Sequence, residues 1–357
     1  MLTSIARLTP VLAAGLLLVA CSDDGDKPPL DTGAPDQPVV DQSVGEGVLP
    51  PDAGADQQAP DATQPDTTSP NADWTEAAAA PDMLYGVWGL DASHVYAVGK
   101  GGAIMTWDGA KWGAMTNSDK NDLYDVWGTS STIFAVGDGV DLYWDGTTWN
   151  VGGSSYSTYS FRDMWGGSTY LFAVDGSEDI YYRSLSSTLS WSYAYSATSE
   201  PMNGIWGASE TAIYAVGDNG AIYTCTSSCD SYSASWTAMT VPTGVTSHLQ
   251  AIWGSSGSDI FAVGFDGTIL HYDGTSWTKM TTGTSTYFHD VWGSGPSDVW
   301  AVGNPVFQPD ESIFHYDGTS WTKSTTPKPS TVLYGVWGSG ANDVWAVGKT
   351  SILHYKK

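Results

Sequence analysis

The sequence predicts an all-β fold, a seven-bladed β-propeller with four antiparallel strands per blade, and three observations predict it. An apolar-Trp-Gly step recurs seven times, 38 to 47 residues apart. Three further strand-like segments follow each of the first six steps, giving four short strands per period of about 40 residues. The last repeat stops one strand short, and a strand of the missing type stands before the first repeat.

The first strand of each repeat carries the anchor: Val87-Trp88-Gly89, Val126-Trp127-Gly128, Met164-Trp165-Gly166, Ile205-Trp206-Gly207, Ile252-Trp253-Gly254, Val291-Trp292-Gly293 and Val336-Trp337-Gly338. The second strand reads as a nearly continuous apolar run, such as Val95-Tyr96-Ala97-Val98-Gly99, and has equivalents from Ile133, Leu171, Ile213, Ile260, Val299 and Val344. Such a run needs cover on both faces, and blades stacked around an axis supply it. The third strand ends in Tyr or Trp followed by Asp-Gly at Asp108, Asp145, Asp273 and Asp317. Each Asp precedes a Trp by four residues, which predicts a two-residue hairpin into the fourth strand.

The fourth strands open with Trp112, Trp149, Trp191, Trp236, Trp277 and Trp321. The seventh repeat ends at Tyr355-Lys356-Lys357 without one. Trp74-Thr75-Glu76 matches Trp277-Thr278-Lys279 and Trp321-Thr322-Lys323, so the N-terminal strand is expected to complete the C-terminal blade and remove the free edges. The expected propeller spans residues 72–357 and acts as a monomer.

Two segments precede it. Residues 1–20 carry Arg7 and an apolar stretch from Val11 to Ala20, too short to span a bilayer, as in a cleaved secretory signal. Residues 21–71 are rich in Pro, Asp, Gly, Gln and Thr and nearly free of aromatics. They are expected to be a disordered tether, reaching roughly 40 Å. Leu18-Val19-Ala20-Cys21 resembles the bacterial lipobox. The resemblance implies that Cys21 is acylated and anchors the chain in a membrane. Ser22 rather than Asp after it implies the outer membrane or cell surface.

The net charge is −26, and thirteen acids against the single base Lys27 fall between Ser22 and Ala80. With three arginines in all (Arg7, Arg162 and Arg183), the chain lacks the basic stripe that nucleic acid requires. No His-Glu-x-x-His, Gly-x-Ser-x-Gly or phosphate loop is present, and no cofactor or metal is expected. His271, His315 and His354 share one position on the third strands of consecutive blades, too far apart to ligate one ion, and are expected to be half-exposed. Asp138 and Asp141 lack the alternating acids of a calcium loop. Cys225 and Cys229 replace Asp-Gly in the fourth repeat, and in an exported chain they are expected to form a disulfide across a longer hairpin.

One position singles out a binding site. Each first strand opens with an apolar residue (Leu84, Leu123, Phe161, Met202, Leu249, Phe288, Leu333), and two residues on it has only Gly, Asp or Ala. Between them the repeats diverge: Tyr85, Tyr124, Arg162, Asn203, Gln250, His289 and Tyr334. A position that differs while its flanks agree is released from shared packing. In a propeller it lies near the channel mouth, where a ring of aromatics, amides, one Arg and one His suits a protein, peptide or glycan ligand. An insertion from Asn304 to Ser312 places Phe307 on the same face.

The whole pattern from about Asp73 onward resembles repeat lipoproteins of Gram-negative bacteria with Val-Trp-Gly…Ala-Val-Gly…Tyr-Asp-Gly-x-x-Trp repeats. It is also similar to Asp-box (BNR-like) propellers, including sialidase-like and photosystem-assembly-factor-like proteins. It departs from the Asp box where Ser or Thr is usual two residues before the Asp: Thr106 stands there, but so do Tyr143, His271 and His315. The resemblance implies the fold. It leaves open a non-catalytic binding module, an enzyme acting on extracellular polysaccharide, and an envelope-assembly scaffold.

Overall fold

Alternating and continuous apolar runs become pleated strands throughout the repeat region. The computed structural model describes residues 74–153, 159–187, 190–196, 200–310 and 312–357. Residues 1–20, residues 21–71 and Cys21, assigned above to export, tether and anchor, lie outside the described residues. The described chain forms seven sheets, each of four antiparallel strands. Six use consecutive strands: residues 84–115 (blade 1), 123–151 (blade 2), 163–196 (blade 3), 202–238 (blade 4), 249–279 (blade 5) and 287–323 (blade 6).

Blade 7 takes Leu333–Gly340, Asp343–Gly348 and Ser351–Lys356, then adds Trp74–Ala79 as its outer strand. Trp74 stands opposite Tyr355 in an antiparallel ladder. Its indole is 1% exposed and packs edge-on to Trp300 with ring centres 5.5 Å apart. The first strands touch one another in sequence around the ring, and that of blade 7 touches that of blade 1. The chain closes as the repeat arithmetic requires.

The Trp-Gly step has a direct packing reason. At six of the seven anchors the indole lies over the glycine of an adjacent blade, so a Cβ on Gly338 would sit 2.6 Å from the Trp292 ring, and one on Gly89 would sit 2.5 Å from Trp337; at Gly128 the nearest atoms are those of Ile133 and Thr132. Only glycine admits the ring. The apolar second strands are buried in every blade, and seven clusters of buried side chains fill the seven seams between neighbours. The core is therefore a circle of interfaces rather than one central mass.

The Asp-Gly turns differ from the expected two-residue hairpin. Trp107 pairs with Trp112, which leaves Asp108-Gly109-Ala110-Lys111 as a four-residue loop. Only the glycine takes positive φ, 88° at Gly109. Asp108 works through its side chain, whose Oδ1 accepts the N–H groups of Ala110 and Lys111, both at 2.9 Å. Asp145, Asp273 and Asp317 repeat this arrangement. The Asp is chosen for its carboxylate, which closes the loop, and not for its tolerance of positive φ. In blade 4 the longer connection is stapled instead: the sulfurs of Cys225 and Cys229 lie at bonding distance, 2.12 Å.

Candidate functional site

Each first strand begins on the face where second strands end; Tyr287 pairs with Asn304 there. The side chain after the opening apolar residue therefore points to the mouth. Tyr85, Tyr124, Arg162, Asn203, Gln250, His289 and Tyr334, with Ser160, line one open cavity of about 390 Å³. The structure thus brings together all seven residues picked by their divergence. Phe307 is 78% exposed on the insertion of blade 6 and does not line this cavity.

The ring has two unlike arcs. Tyr124, Tyr85, Tyr334 and His289 form an unbroken aromatic arc, with ring centres 5.5, 5.3 and 5.1 Å apart in succession. Burial, with the charges of Asp122 and Asp82 and the neighbouring phenols, pushes the Tyr85 hydroxyl up to about 12. Burial holds His289 neutral by lowering its pKa to about 4. The opposite arc is polar and self-bonded. Arg162 Nη1 donates to Asn203 Oδ1, and Asn203 Nδ2 donates to Asp218 Oδ1 at 2.8 Å and to the Leu249 carbonyl at 2.9 Å.

Beneath the ring lies a narrower chamber of about 90 Å³ that also receives Asp125, Asp163 and Asp290. These carboxyls were hidden in the sequence among positions that read merely as small. They face the chamber, yet protein surrounds them, and burial raises the pKa of all three. Asp125 and Asp163 are hydrogen-bonded to each other, and burial together with this contact disfavours ionising both carboxyls at once. Each also serves a seam: Asp125 accepts the N–H of Met164 at 3.0 Å, Asp163 that of Ile205 at 2.7 Å, and Asp290 that of Val336 at 2.8 Å. The repeat signal that could have found them is the restriction to Gly, Asp or Ala. Two carboxyls in direct contact do not have the ~5–9 Å separation of a glycosidase pair.

The remaining candidates are placed elsewhere. His271, His315 and His354 each bond an Asp of their own blade, with Nε2 to Asp259, Asp298 and Asp343 at 2.7, 2.6 and 2.6 Å. His315 and His354 stack on the facing second-strand rings of Trp300 and Trp345, and His271 lies tilted against Phe261. They are half-buried packing elements. Asp141 turns inward to Arg183 at 2.6 Å. Among the described residues no group of three or more His, Cys, Asp or Glu is arranged to hold a metal.

No family model matches the sequence, and no curated protein does. The fold is similar to that of solved propellers. YCF48 from Cyanidioschyzon merolae is 15% identical with a TM-score of 0.63, over 79% of this chain and 98% of that one. YCF48 bound to D1 peptide is 16% identical with a TM-score of 0.65, over 80% and 97%. A streptogramin B lyase structure is 12% identical with a TM-score of 0.66, over 79% and 96%. At such identity the likeness establishes the seven-bladed architecture alone.

Proposed function

We propose that this chain is an exported, lipid-anchored binding protein of the outer membrane or cell surface, whose propeller mouth holds a segment of another polypeptide. The observation that carries the binding role is the ring: seven side chains of five types line one cavity, while the positions flanking them are repeated or restricted from blade to blade. Packing explains the flanks and leaves the ring to a ligand. The similarity to a propeller described as bound to a peptide favours a polypeptide over a glycan. The anchor rests on the lipobox-like Leu18-Val19-Ala20-Cys21, with residues 21–71 holding the propeller away from the membrane.

Capture from a random-peptide display library and from a glycan array by the full chain in detergent tests the mouth. The double variant Tyr124→Ala/Arg162→Ala is expected to lose the peptide signal with its thermal melting unchanged within a few degrees. Equal capture by both proteins dismisses the ring as the site, and capture of glycans alone replaces the ligand class. Metabolic labelling with a clickable fatty acid tests the anchor. The label is expected on the native chain and absent from Cys21→Ala, and an unlabelled native chain excludes lipidation.

A further inference from the structure

The two arcs of the mouth differ in what they leave unspent. The polar arc is occupied: Arg162 is committed to Asn203, and Asn203 to Asp218 and a main-chain carbonyl. Asp218 is also paired with His248 at 2.7 Å. On the aromatic arc, the hydroxyls of Tyr124 and Tyr334 make no hydrogen bond among the described residues. That of Tyr85 reaches only the Met83 sulfur, at 4.0 Å. The aromatic faces thus line the cavity with few internal obligations.

Acids stand over this same arc. Asp82 and Asp122 come just before the opening residues Leu84 and Leu123, and Asp138 follows the second strand of blade 2 directly. Asp122 is pinned by the Gly101 N–H at 2.7 Å, and the main chain of Asp138 is tied to Asp122 and Ser160. Asp82 and Asp138 are exposed. The nearest cation to Asp82 is Lys100, only loosely paired at 3.9 Å. Asp122 and Asp82 oppose ionisation of Tyr85, and Asp138 and Asp122 that of Tyr124, where the neighbouring Arg162 acts in the opposite sense. Electron-rich ring faces beneath fixed negative charge attract a cation from both sides. An anion at the same place would meet repulsion from three carboxylates, with Arg162 as the only arginine in the ring.

We infer that the aromatic arc of Tyr85, Tyr124 and Tyr334 under Asp82, Asp122 and Asp138 is a seat for a basic side chain, the lysine or arginine of an extended polypeptide segment. This rests on the reading of the mouth as a peptide site and specifies what that site selects. The alkyl stem would lie along the rings, with the charged head toward the rim carboxylates. Arg162 stands next to Tyr124 and bounds the seat on that side.

Calorimetric titration of the full chain in detergent with three capped pentapeptides, Gly-Ser-X-Ser-Gly with X as lysine, norleucine or glutamate, tests this. The lysine peptide is expected to bind at least tenfold more tightly than either of the others. Tyr85→Leu/Tyr124→Leu, which keeps every charge, is expected to lose at least tenfold for lysine. Norleucine binding as well as lysine, a preference for glutamate, or lysine binding unaffected by loss of both rings overturns the inference. If the mouth still captures library peptides under any of these results, the peptide-site reading stands without its basic preference. If no peptide of any kind is captured, both fall together.

Discussion

The seam between blades 7 and 1 and the seam between blades 2 and 3 occupy equivalent places in the ring but are sealed by different chemistry. Between blades 7 and 1, Trp345 is 0% exposed and meets Trp107 and Trp112 with ring centres 5.0 and 5.2 Å away, while His354 stacks on its face. Between blades 2 and 3, the guanidinium of Arg183 takes the central place. It lies over the rings of Phe134 and Trp191 at 4.6 and 4.5 Å and donates to Asp141, which also accepts the Trp191 indole N–H at 3.0 Å. One seam is aromatic. The other is an ion pair out of water, whose strength lies in both partners being present.

That contrast sets the largest expected effect. Burial raises the Asp141 pKa and lowers that of Arg183, each opposed by the other's charge. Arg183→Met leaves Asp141 without its cation and is expected to cost about 3–5 kcal/mol. The double variant Arg183→Met/Asp141→Leu is expected to recover most of that loss, because an apolar pair of similar volume needs no desolvation. Urea midpoints of the wild type and the two variants measure both steps. A single variant within about 1 kcal/mol of wild type would show that the ion pair is no more critical than an aromatic contact.

The inner ends of the seams divide in a related way. Asp125, Asp163 and Asp290 reach across to the next blade's backbone, whereas at Gly86, Gly204 and Gly335 the next blade approaches so closely that a Cβ would stand 2.8–2.9 Å from its carbonyls. The carboxyl seams should titrate and the glycine seams should not. Burial, reinforced by the charge of Asp163 and opposed by the Val336 N–H, raises Asp290 to about 8. Its native form therefore keeps a proton that the unfolded chain releases near pH 4. The contribution is complete below about pH 4 and is lost as pH climbs through about 8. Asp290→Asn cannot titrate, so its stability should gain on wild type by a few kcal/mol between pH 4 and pH 8. Denaturation curves at pH 4, 6 and 8 check this, and parallel pH profiles would mean that Asp290 is ionised in the native state.

Which of these features the sequence makes legible follows from how often each recurs. The Trp-Gly step is written seven times and puts an indole over a glycine in six of the seams, and the displaced strand at Trp74 is legible because Tyr355 lacks its partner in sequence. The ring at the mouth is legible through the opposite signal, divergence between constant flanks. Arg183 and Asp141 leave no such trace, since a single pair on two different blades has no counterpart to compare with. The three inner Asp residues were visible as a letter but not as a bridge. Their role depends on the separation of adjacent backbones, which the repeat alone does not encode.

The smallest expected effect lies in the aromatic seams. His354 stacks on Trp345 at 3.7 Å with the planes 5° apart and bonds Asp343 at 2.6 Å, and Asp343 also accepts the Ser339 hydroxyl at 2.5 Å. Blades 5 and 6 repeat this Ser–Asp–His set. His354→Phe keeps the stack, removes one hydrogen bond and leaves Asp343 with Ser339, so the loss at pH 7 should be about 1 kcal/mol. Burial lowers the His354 pKa against the pull of Asp343, so the native state favours the neutral ring. The unfolded chain takes up a proton below about pH 6.5 before the native one does. That part of the stability is present above pH 6.5 and fades as pH falls through the depressed native value. Phenylalanine removes the slope, so the gap between variant and wild type should narrow from pH 7 to pH 5. A gap that widens on acidification would mean that Asp343 holds the imidazole charged, and that this seam is an ion pair like the one between blades 2 and 3.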